Sequence, residues 1–258
     1  MAGAAQGLRV LITAGAAGIG RAFAQTFVEA DAKVYVCDID ARALDTMKRE
    51  LPQAGSMVAD VSDAKQVDAL FTAATKFLGG LDVLINNAGI AGPTARVEDI
   101  SIADWDRTIA VDLNSMFYCT RLAVPLLKAA GGGSIINLSS VAGRLGYAMR
   151  TPYSSAKWAV VGFTKSLANE LGPSNIRVNA LQPGLVEGER IRNVIRAKAK
   201  AQGVSETEFE AELVSRVSLR RMVSAQDIAN MALFLATPPG ANISGQALSI
   251  CGNVESIV

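Results

Sequence analysis

Seven short aliphatic runs, the first six each followed by a stretch of helical length, constrain this chain more than any other feature. The runs are RVLITA from Arg9, KVYVCDI from Lys33, SMVAD from Ser56, LDVLINNA from Leu81, GSIINLS from Gly133, IRVNALQ from Ile176 and ALSICG from Ala247. Between them lie segments such as AKQVDALFTAATKFL after Asp63, where apolar residues recur at helical spacing. Strands alternating with helices argue for βαβ units, and right-handed crossovers gather such strands into one parallel sheet. Strands that are apolar throughout, rather than at every second residue, suit a sheet covered on both faces. The fold class is therefore α/β. No Pro/Ser-rich linker, low-complexity tract or internal repeat divides the 258 residues. A single domain over residues 1–258 is expected.

Several function classes fall away at once. A formal net charge of +1 gives no global field to recruit nucleic acid or an anionic membrane. No run approaches the ~18 apolar residues of a membrane span. The N-terminus MAGAAQGLRV has no basic region leading into a long apolar core. A cytoplasmic location is expected. Cys37, Cys119 and Cys251 lie far apart with no CxxC pair. They read as buried small apolar side chains, and no metal is expected.

One region breaks the rhythm. Residues 185–222 hold no strand-like run, are rich in Arg, Lys and Glu, and read as two helices, ERIRNVIRAKAKAQG and SETEFEAELVSRV. They begin just beyond a strand's carboxyl end, where open α/β sheets bind ligands. The segment is a candidate helical substrate lid.

The first strand runs into TAGAAGIG, with Gly15, Gly18 and Gly20 ahead of a helix. Such a turn lets backbone approach a pyrophosphate, which rests on the free N–H groups of the helix N-terminus. Glycine-rich turns also serve purely structural ends. Here the turn sits at the first strand–helix junction, and Asp38 closes the second strand eighteen residues after Gly20. A carboxylate there accepts hydrogen bonds from ribose hydroxyls and repels a 2′-phosphate. No Arg or Lys lies between Ala14 and Ile19 or directly after Asp38, so NAD is expected over NADP. If the turn is structural only, Asp38 is an ordinary end-of-strand residue.

The chain contains no histidine, so proton transfer near neutral pH would fall to another side chain. The stretch RTPYSSAKWAV offers Tyr153 and Lys157. Pro152 suits the first turn of a helix, and positions four apart share a face, so the two project together. The strand ahead of this helix delivers Ser139 and Ser140. A free tyrosine, with a pKa of about 10, is a poor base at pH 7. A neighbouring ammonium and a cationic nicotinamide favour the phenolate and bring such a group into use as a general acid–base. A serine hydroxyl can donate to the substrate oxygen as charge develops on it. Taken alone, a Tyr-x-x-x-Lys pair is as readily a surface contact; the serine and the glycine turn give it meaning.

Together these motifs resemble the short-chain dehydrogenase/reductase family over nearly the whole chain. TAGAAGIG is similar to the family's T-G-x-x-x-G-I-G turn, with Ala14 in the place of its first glycine. NNAG at residues 86–89 matches its fourth-strand motif, and Pro183 and Gly184 follow the sixth strand. YSSAK matches Y-x-x-x-K, with Ser140 thirteen residues before Tyr153. The resemblance implies a Rossmann-type doubly wound parallel sheet of about seven strands with helices on both faces. It also implies reversible hydride transfer between a nicotinamide dinucleotide and a CH–OH group. Tyr153 would be the acid/base and Ser140 the oxygen stabiliser. Lys157 would bind the nicotinamide ribose and assist the tyrosine. Cofactor contacts would come from Gly15, Gly18, Ile19 and Gly20 in the turn and from Asp38 and Ile39 at the ribose. Asp60 and Val61 would meet the adenine. Asn87, Ala88 and Gly89 would line the middle, and Tyr153, Lys157, Pro183, Gly184 and Val186 the nicotinamide. A homo-oligomer, a homotetramer or dimer, is implied as well.

Two departures stand out. The family's relay asparagine falls within VDLNSMF on Asp112, which is carried as a relay candidate. Where the family often has a threonine after P-G, PGLVEG places Gly188, leaving the Val186 backbone to hold the carboxamide. Arg190, early in the lid, and Arg150, three residues before Tyr153, are placed to fork onto a carboxylate, sulfonate or phosphate. With Ser140 and Tyr153 they form the substrate-binding set, although most charges on such a lid would be a solvated face. The expected function is an NAD-dependent oxidoreductase of a small polar secondary alcohol or ketone: a hydroxy acid, sugar or sugar acid, anions included. An NADPH-type ketoreductase and a non-catalytic dinucleotide sensor of the same fold are the alternatives.

Overall fold

In the computed structural model, which describes residues 3–254, every aliphatic run forms a strand. These are β1 (Arg9–Thr13), β2 (Lys33–Asp38), β3 (Gly55–Val58), β4 (Val83–Asn86), β5 (Gly133–Leu138), β6 (Ile176–Pro183) and β7 (Ala247–Ile250). All pair in parallel, in the order β3-β2-β1-β4-β5-β6-β7. The chain steps outward from β1 to β3, then returns to the other side of β1 to lay down β4. The crossovers on either side of β1 leave in opposite directions, which opens a crevice at the carboxyl ends of β1 and β4.

Successive residues of β1 point to opposite faces. Val10 and Ile12 join a core with α1 (Gly18–Glu29) and α9 (Ala225–Ala236), where Phe23, Phe27, Ile228 and Leu233 are fully buried. Leu11 joins a second core with α3 (Ala64–Leu78), α5 (Ser115–Ala129) and α6 (Thr151–Leu171). Each fully buried Leu, Ile or Phe contributes about 1.5–3 kcal/mol, so apolar packing on both faces holds the sheet. Cys37 and Cys119 lie in the second core, and burial pushes the Cys37 thiol up to about 12, leaving it inert at neutral pH. The remaining helices are α2 (Ala41–Glu50) and α4 (Ile102–Ile109), with α7 (Glu189–Gln202) and α8 (Glu206–Ser215) in the segment after β6. A π-helical stretch, Ala110–Asn114, joins α4 to α5.

Residues 185–222 leave the sheet and return at neighbouring points. Val186 bridges Val223; Glu187 N–H donates to the Val223 carbonyl (3.0 Å) and Val223 N–H to that of Leu185 (2.9 Å). Above this base α7 and α8 pack on each other through Ile195, Ala199, Phe209 and Leu213. Gly203, at φ +72°, ends α7, and a Ser205/Glu208 capping box starts α8.

At the opposite end of the sheet Arg9 ties β1 to β4. Its backbone N–H and Nε donate to Asp82 Oδ2 (2.8 and 2.7 Å), and Nη2 donates to Oδ1 (2.8 Å). Burial alone would raise the Asp82 carboxyl, but these bonds and the guanidinium charge outweigh it and hold it below the usual range. A carboxylate so lowered contributes stability that is fully present above the unfolded value of about 3.9 and is lost as pH falls through the folded one. Urea titrations should therefore find Asp82→Asn less stable than the native chain at pH 7, with the gap closing below about pH 4. A gap independent of pH would show that the ion pair is energetically idle.

Candidate active site

The crevice forms a cavity of about 600 Å³ along the carboxyl ends of the strands, a size suited to a cofactor and a small ligand. Asp38, Ile39, Asp60 and Val61 line one end; Ser140, Tyr147, Arg150 and Tyr153 line the other, under Leu185 and Val194. Gly18, Gly20 and residues 87–89 border the middle.

The glycine turn is built around Asn87. Its Nδ2 donates to the carbonyls of Thr13 (3.0 Å) and Ala14 (2.9 Å), while the Thr13 hydroxyl accepts from the N–H groups of Asn87 and Ala88, each at 3.0 Å. These bonds clamp the end of β4 to the end of β1. A Cβ on Gly20 would stand 1.9 Å from the Ala14 carbonyl oxygen and 2.6 Å from Asn87 Nδ2, so only glycine fits. Ala14, in the family's glycine place, adopts φ +51°, a left-handed conformation that costs an L-residue about 1–2 kcal/mol. Gly15, grouped with the cofactor residues from the sequence, does not border the cavity; a Cβ there would meet Val36 Cβ at 2.7 Å. Its glycine lets the turn pack on β2.

α1 starts at Ala17 with no side-chain cap and no acidic residue in its first turn. Asp40, Asp63, Ser101, Ser205 and Ser224 cap five other helices, while α6 and α7 also start without a side-chain cap. The uncapped N–H groups of α1 face the cavity and suit an anion. With the space that Gly20 keeps open, they fit the pyrophosphate of a dinucleotide. Asp38 accepts from Ala16 N–H through Oδ2 and from Asp40 N–H through Oδ1, both at 3.1 Å, with lone pairs left for ribose hydroxyls. Asp60 is held by Ser62, through its N–H (2.9 Å) and hydroxyl (2.6 Å), and by Arg107 Nη2 (3.1 Å). Burial would raise this carboxyl, but the bonds from Ser62 and Arg107 hold it low.

At the other end β5 delivers two serines with different partners. Ser139 Oγ donates to the Lys157 carbonyl (2.8 Å) and anchors α6, whereas Ser140 Oγ accepts from Ala142 N–H (3.1 Å) and borders the cavity. Pro152 lies in the first turn of α6, so Tyr153 and Lys157 share its cavity face. Lys157 Nζ donates to the Leu138 carbonyl (3.0 Å) and lies 5.6 Å from the Tyr153 ring centroid. Arg150 lies 5.1 Å from the same centroid, so two cations flank one phenol. Asp112 stands behind the lysine, fully buried and outside the cavity lining, in the π-helical stretch. Its Oδ1 accepts from Ile90 N–H (2.7 Å); Oδ2 lies 3.5 Å from Lys157 Nζ, an ion pair without a hydrogen bond. A π-turn rotates the residues that follow it relative to an α-helix, and such turns recur at functional sites.

The two arginines singled out for substrate differ. Arg190, exposed to solvent, donates through Nη2 to the Gly89 carbonyl (2.6 Å), linking α7 to the end of β4. Arg150 is 2% exposed and donates through Nη2 to Ala91. Tyr147 lies beside it, its phenol pushed up by burial against the opposing charge of Arg150. Lys198 of α7 also reaches that ring (4.2 Å to its centroid), and burial plus the Arg150 charge push its ammonium down to about 8. Thr13, Arg107 and Tyr147 were not singled out in the sequence. Thr13 is the opening residue of the glycine-turn motif and was within reach; the other two carry no signal of spacing.

Two outcomes follow from this geometry. Gly20→Ala should abolish dinucleotide binding by calorimetry, because Ala14 and Asn87 cannot both keep their places. Asp112→Leu strands both the Lys157 ammonium and the Ile90 N–H, and should cost about 3–5 kcal/mol in denaturant titration. Asp112→Asn, which keeps an acceptor for Ile90 but removes the counter-charge, should cost less; an Asp112→Asn variant as stable as the native chain would deny the ion pair a role.

A family described as Enoyl-(Acyl carrier protein) reductase matches residues 14–253. The trans-4-hydroxycyclohexanecarboxylate dehydrogenase of Sinomonas cyclohexanicum is 37% identical, over 94% of this chain and 90% of its own. Among solved structures, an actinorhodin polyketide ketoreductase with NADPH superposes with a TM-score of 0.93 at 31% identity, covering 98% of this chain and 99% of that one. An NAD+-bound xylitol dehydrogenase gives 0.92 at 26% identity, covering 96% and 99%.

Proposed function

The chain belongs to the short-chain dehydrogenase/reductase family, nicotinamide-dependent enzymes acting on CH–OH groups, and we propose that it is an NAD-dependent dehydrogenase of a compact polar secondary alcohol, equally a reductase of the matching ketone. One observation carries this reading: Ser140, Tyr153 and Lys157 border the same cavity as the uncapped start of α1 and Asp38. A nicotinamide dinucleotide held by the start of α1, Asp38 and Lys157 would supply the acceptor or donor of the hydride at the carbinol carbon. Tyr153 takes the hydroxyl proton on oxidation and returns it on reduction. Ser140 donates to the substrate oxygen while charge builds on it. Lys157, fixed by Leu138 and Asp112, sets positive charge beside the phenol and keeps N–H groups free for a ribose hydroxyl.

Asp38 supports NAD over NADP, since a 2′-phosphate would meet its carboxylate. Arg107, the cation bordering that end, is already engaged by Asp60 and Ser62. Residues 185–222 act as the substrate lid, with the Arg190–Gly89 bond as a latch. A homo-oligomer is supported by large aromatic side chains exposed on α5 and α6, Phe117 (51%) and Trp158 (52%). No helix among the described residues is long and apolar enough to cross a membrane. Three free buried cysteines suit the reducing cytoplasm.

Tyr153→Phe should lose nearly all turnover in either direction while binding NADH as tightly as the native chain, read by nucleotide fluorescence. Unchanged turnover would remove Tyr153 from the chemistry, and a native chain that binds NADH but turns over no alcohol or ketone would favour the sensor. Asp38→Ala gives up charge-assisted bonds worth about 1.5–3 kcal/mol, so kcat/KM for NAD+ should fall about 10- to 100-fold while NADP+ gains. A native preference for NADP+ would instead favour the ketoreductase.

A further inference from the structure

We propose that the substrate of this site is an anion, a compact hydroxy acid with a hydrocarbon centre, and that Arg150 receives its carboxylate. The inference rests on the dehydrogenase reading above and narrows its substrate class. A guanidinium carries five N–H donors. For Arg150 the one acceptor among the described residues is the Ala91 carbonyl; Nε and Nη1 have no partner. No carboxylate among the described residues pairs with it, whereas Arg9, Arg21, Arg107, Arg121, Arg196 and Arg216 each meet one. Those six are partly exposed; Arg150 is 2% exposed. A buried charge without a counter-ion costs several kcal/mol, and an anionic ligand in the cavity that Arg150 borders would supply one.

The backbone holds the side chain in place. Met149, just before it, sits at φ +61°, and its carbonyl accepts from Ala95 N–H (3.0 Å). A non-glycine residue in that region marks a conformation that its surroundings impose. The guanidinium lies over the Tyr153 ring, so the bound anion sits near the carbon that loses the hydride, which favours a compact acid over a long one. Between the two, Ile90, Val141, Leu185, Ile191 and Val194 border the cavity, walls that suit a hydrocarbon centre better than a polyol. The aspartates bordering the cavity, Asp38, Asp40 and Asp60, lie at its cofactor end; Glu187 and Glu189 enter from the lid segment. Arg190 is no substitute, because it is exposed and water already solvates its charge, whereas Arg150 is buried.

The test pairs each acid with its neutral primary amide, from 3-hydroxybutyrate to 4-hydroxycyclohexanecarboxylate, as substrates for the native chain with NAD+. Charge-assisted bonds of about 1.5–3 kcal/mol predict that the preferred acid exceeds its amide in kcat/KM by about 10- to 100-fold. Arg150→Met should erase that gap by raising KM for the acid far more than for the amide; Arg150→Lys should recover part of it. Amides that match or surpass their acids in the native chain would overturn the proposal, and so would an equal loss for both partners in Arg150→Met. Binding of cyclohexanecarboxylate, which lacks a hydroxyl to oxidise, gives a readout without turnover. Titrated against the NADH complex, it should saturate with the native chain and fail with Arg150→Met. If no alcohol of either charge is oxidised, the dehydrogenase reading fails and this titration still decides the role of Arg150. Absent or unselective binding in the native chain sinks the anion site even if the variant does not fold.

Discussion

Parallel pairing of β1 with β4 is the constraint on which the rest of the structure depends. Two strands whose crossovers leave in opposite directions must part at their carboxyl ends, and the gap between the connections becomes the cavity. Such a gap would expose backbone polar groups unless something bridges them. Asn87 and Thr13 do so, with the Asn87 amide spanning the carbonyls of Thr13 and Ala14 and the Thr13 hydroxyl accepting from two N–H groups of the opposite strand end. The bridge fills the space beside Gly20 and leaves the start of α1 free for a ligand. Cofactor cradle and strand clamp are therefore one hydrogen-bonded unit, tied again by Arg9 and Asp82 at the far end of the same two strands.

Buried charge is treated in two ways within a short distance. Lys157 has a backbone carbonyl and a carboxylate, so its ammonium is fixed by partners that the fold itself supplies. A neutral asparagine at position 112 could still bond Ile90, but it would leave the ammonium without a counter-charge. Arg150 has one carbonyl and no carboxylate partner among the described residues, so its charge is left unpaired beside the Tyr153 phenol. Fixed charge costs no reorganisation when a reaction builds negative charge nearby, which is why such imbalance is useful at an active site.

The helical segment over this end has a small core of its own and several ties to the rest of the protein. Its base is closed by the pairing of Val186 with Val223, its two helices pack on each other, and Arg190 fastens it to Gly89. Val217 also bridges Val254, and the N–H groups of Ser218 and Leu219 donate to the carbonyls of Asn253 and Gly252, which ties the segment to the chain leaving β7. Gly89 also borders the cavity, so the segment meets the site through Arg190.

The strands were legible from their aliphatic runs, α3 from its spacing to the residue, and the shared face of Tyr153 and Lys157 from a separation of four. All of these follow from periodicities that a backbone imposes on its nearest neighbours. Other features needed the tertiary structure. Asp60 finds Arg107 forty-seven residues away, a meeting that depends on how α4 lies against the end of β3. Gly15 and Gly20 look alike in TAGAAGIG, yet one packs on Val36 and the other borders the cavity. Arg150 and Arg190 were both placed to meet an anion; each bonds one backbone carbonyl, but one is buried with open donors and the other is exposed to water. The sequence by itself determined which elements form and which side chains share a face, because those depend on local geometry. Only the tertiary structure decided which side chains find partners, because a partner comes from another element and its distance is set by packing.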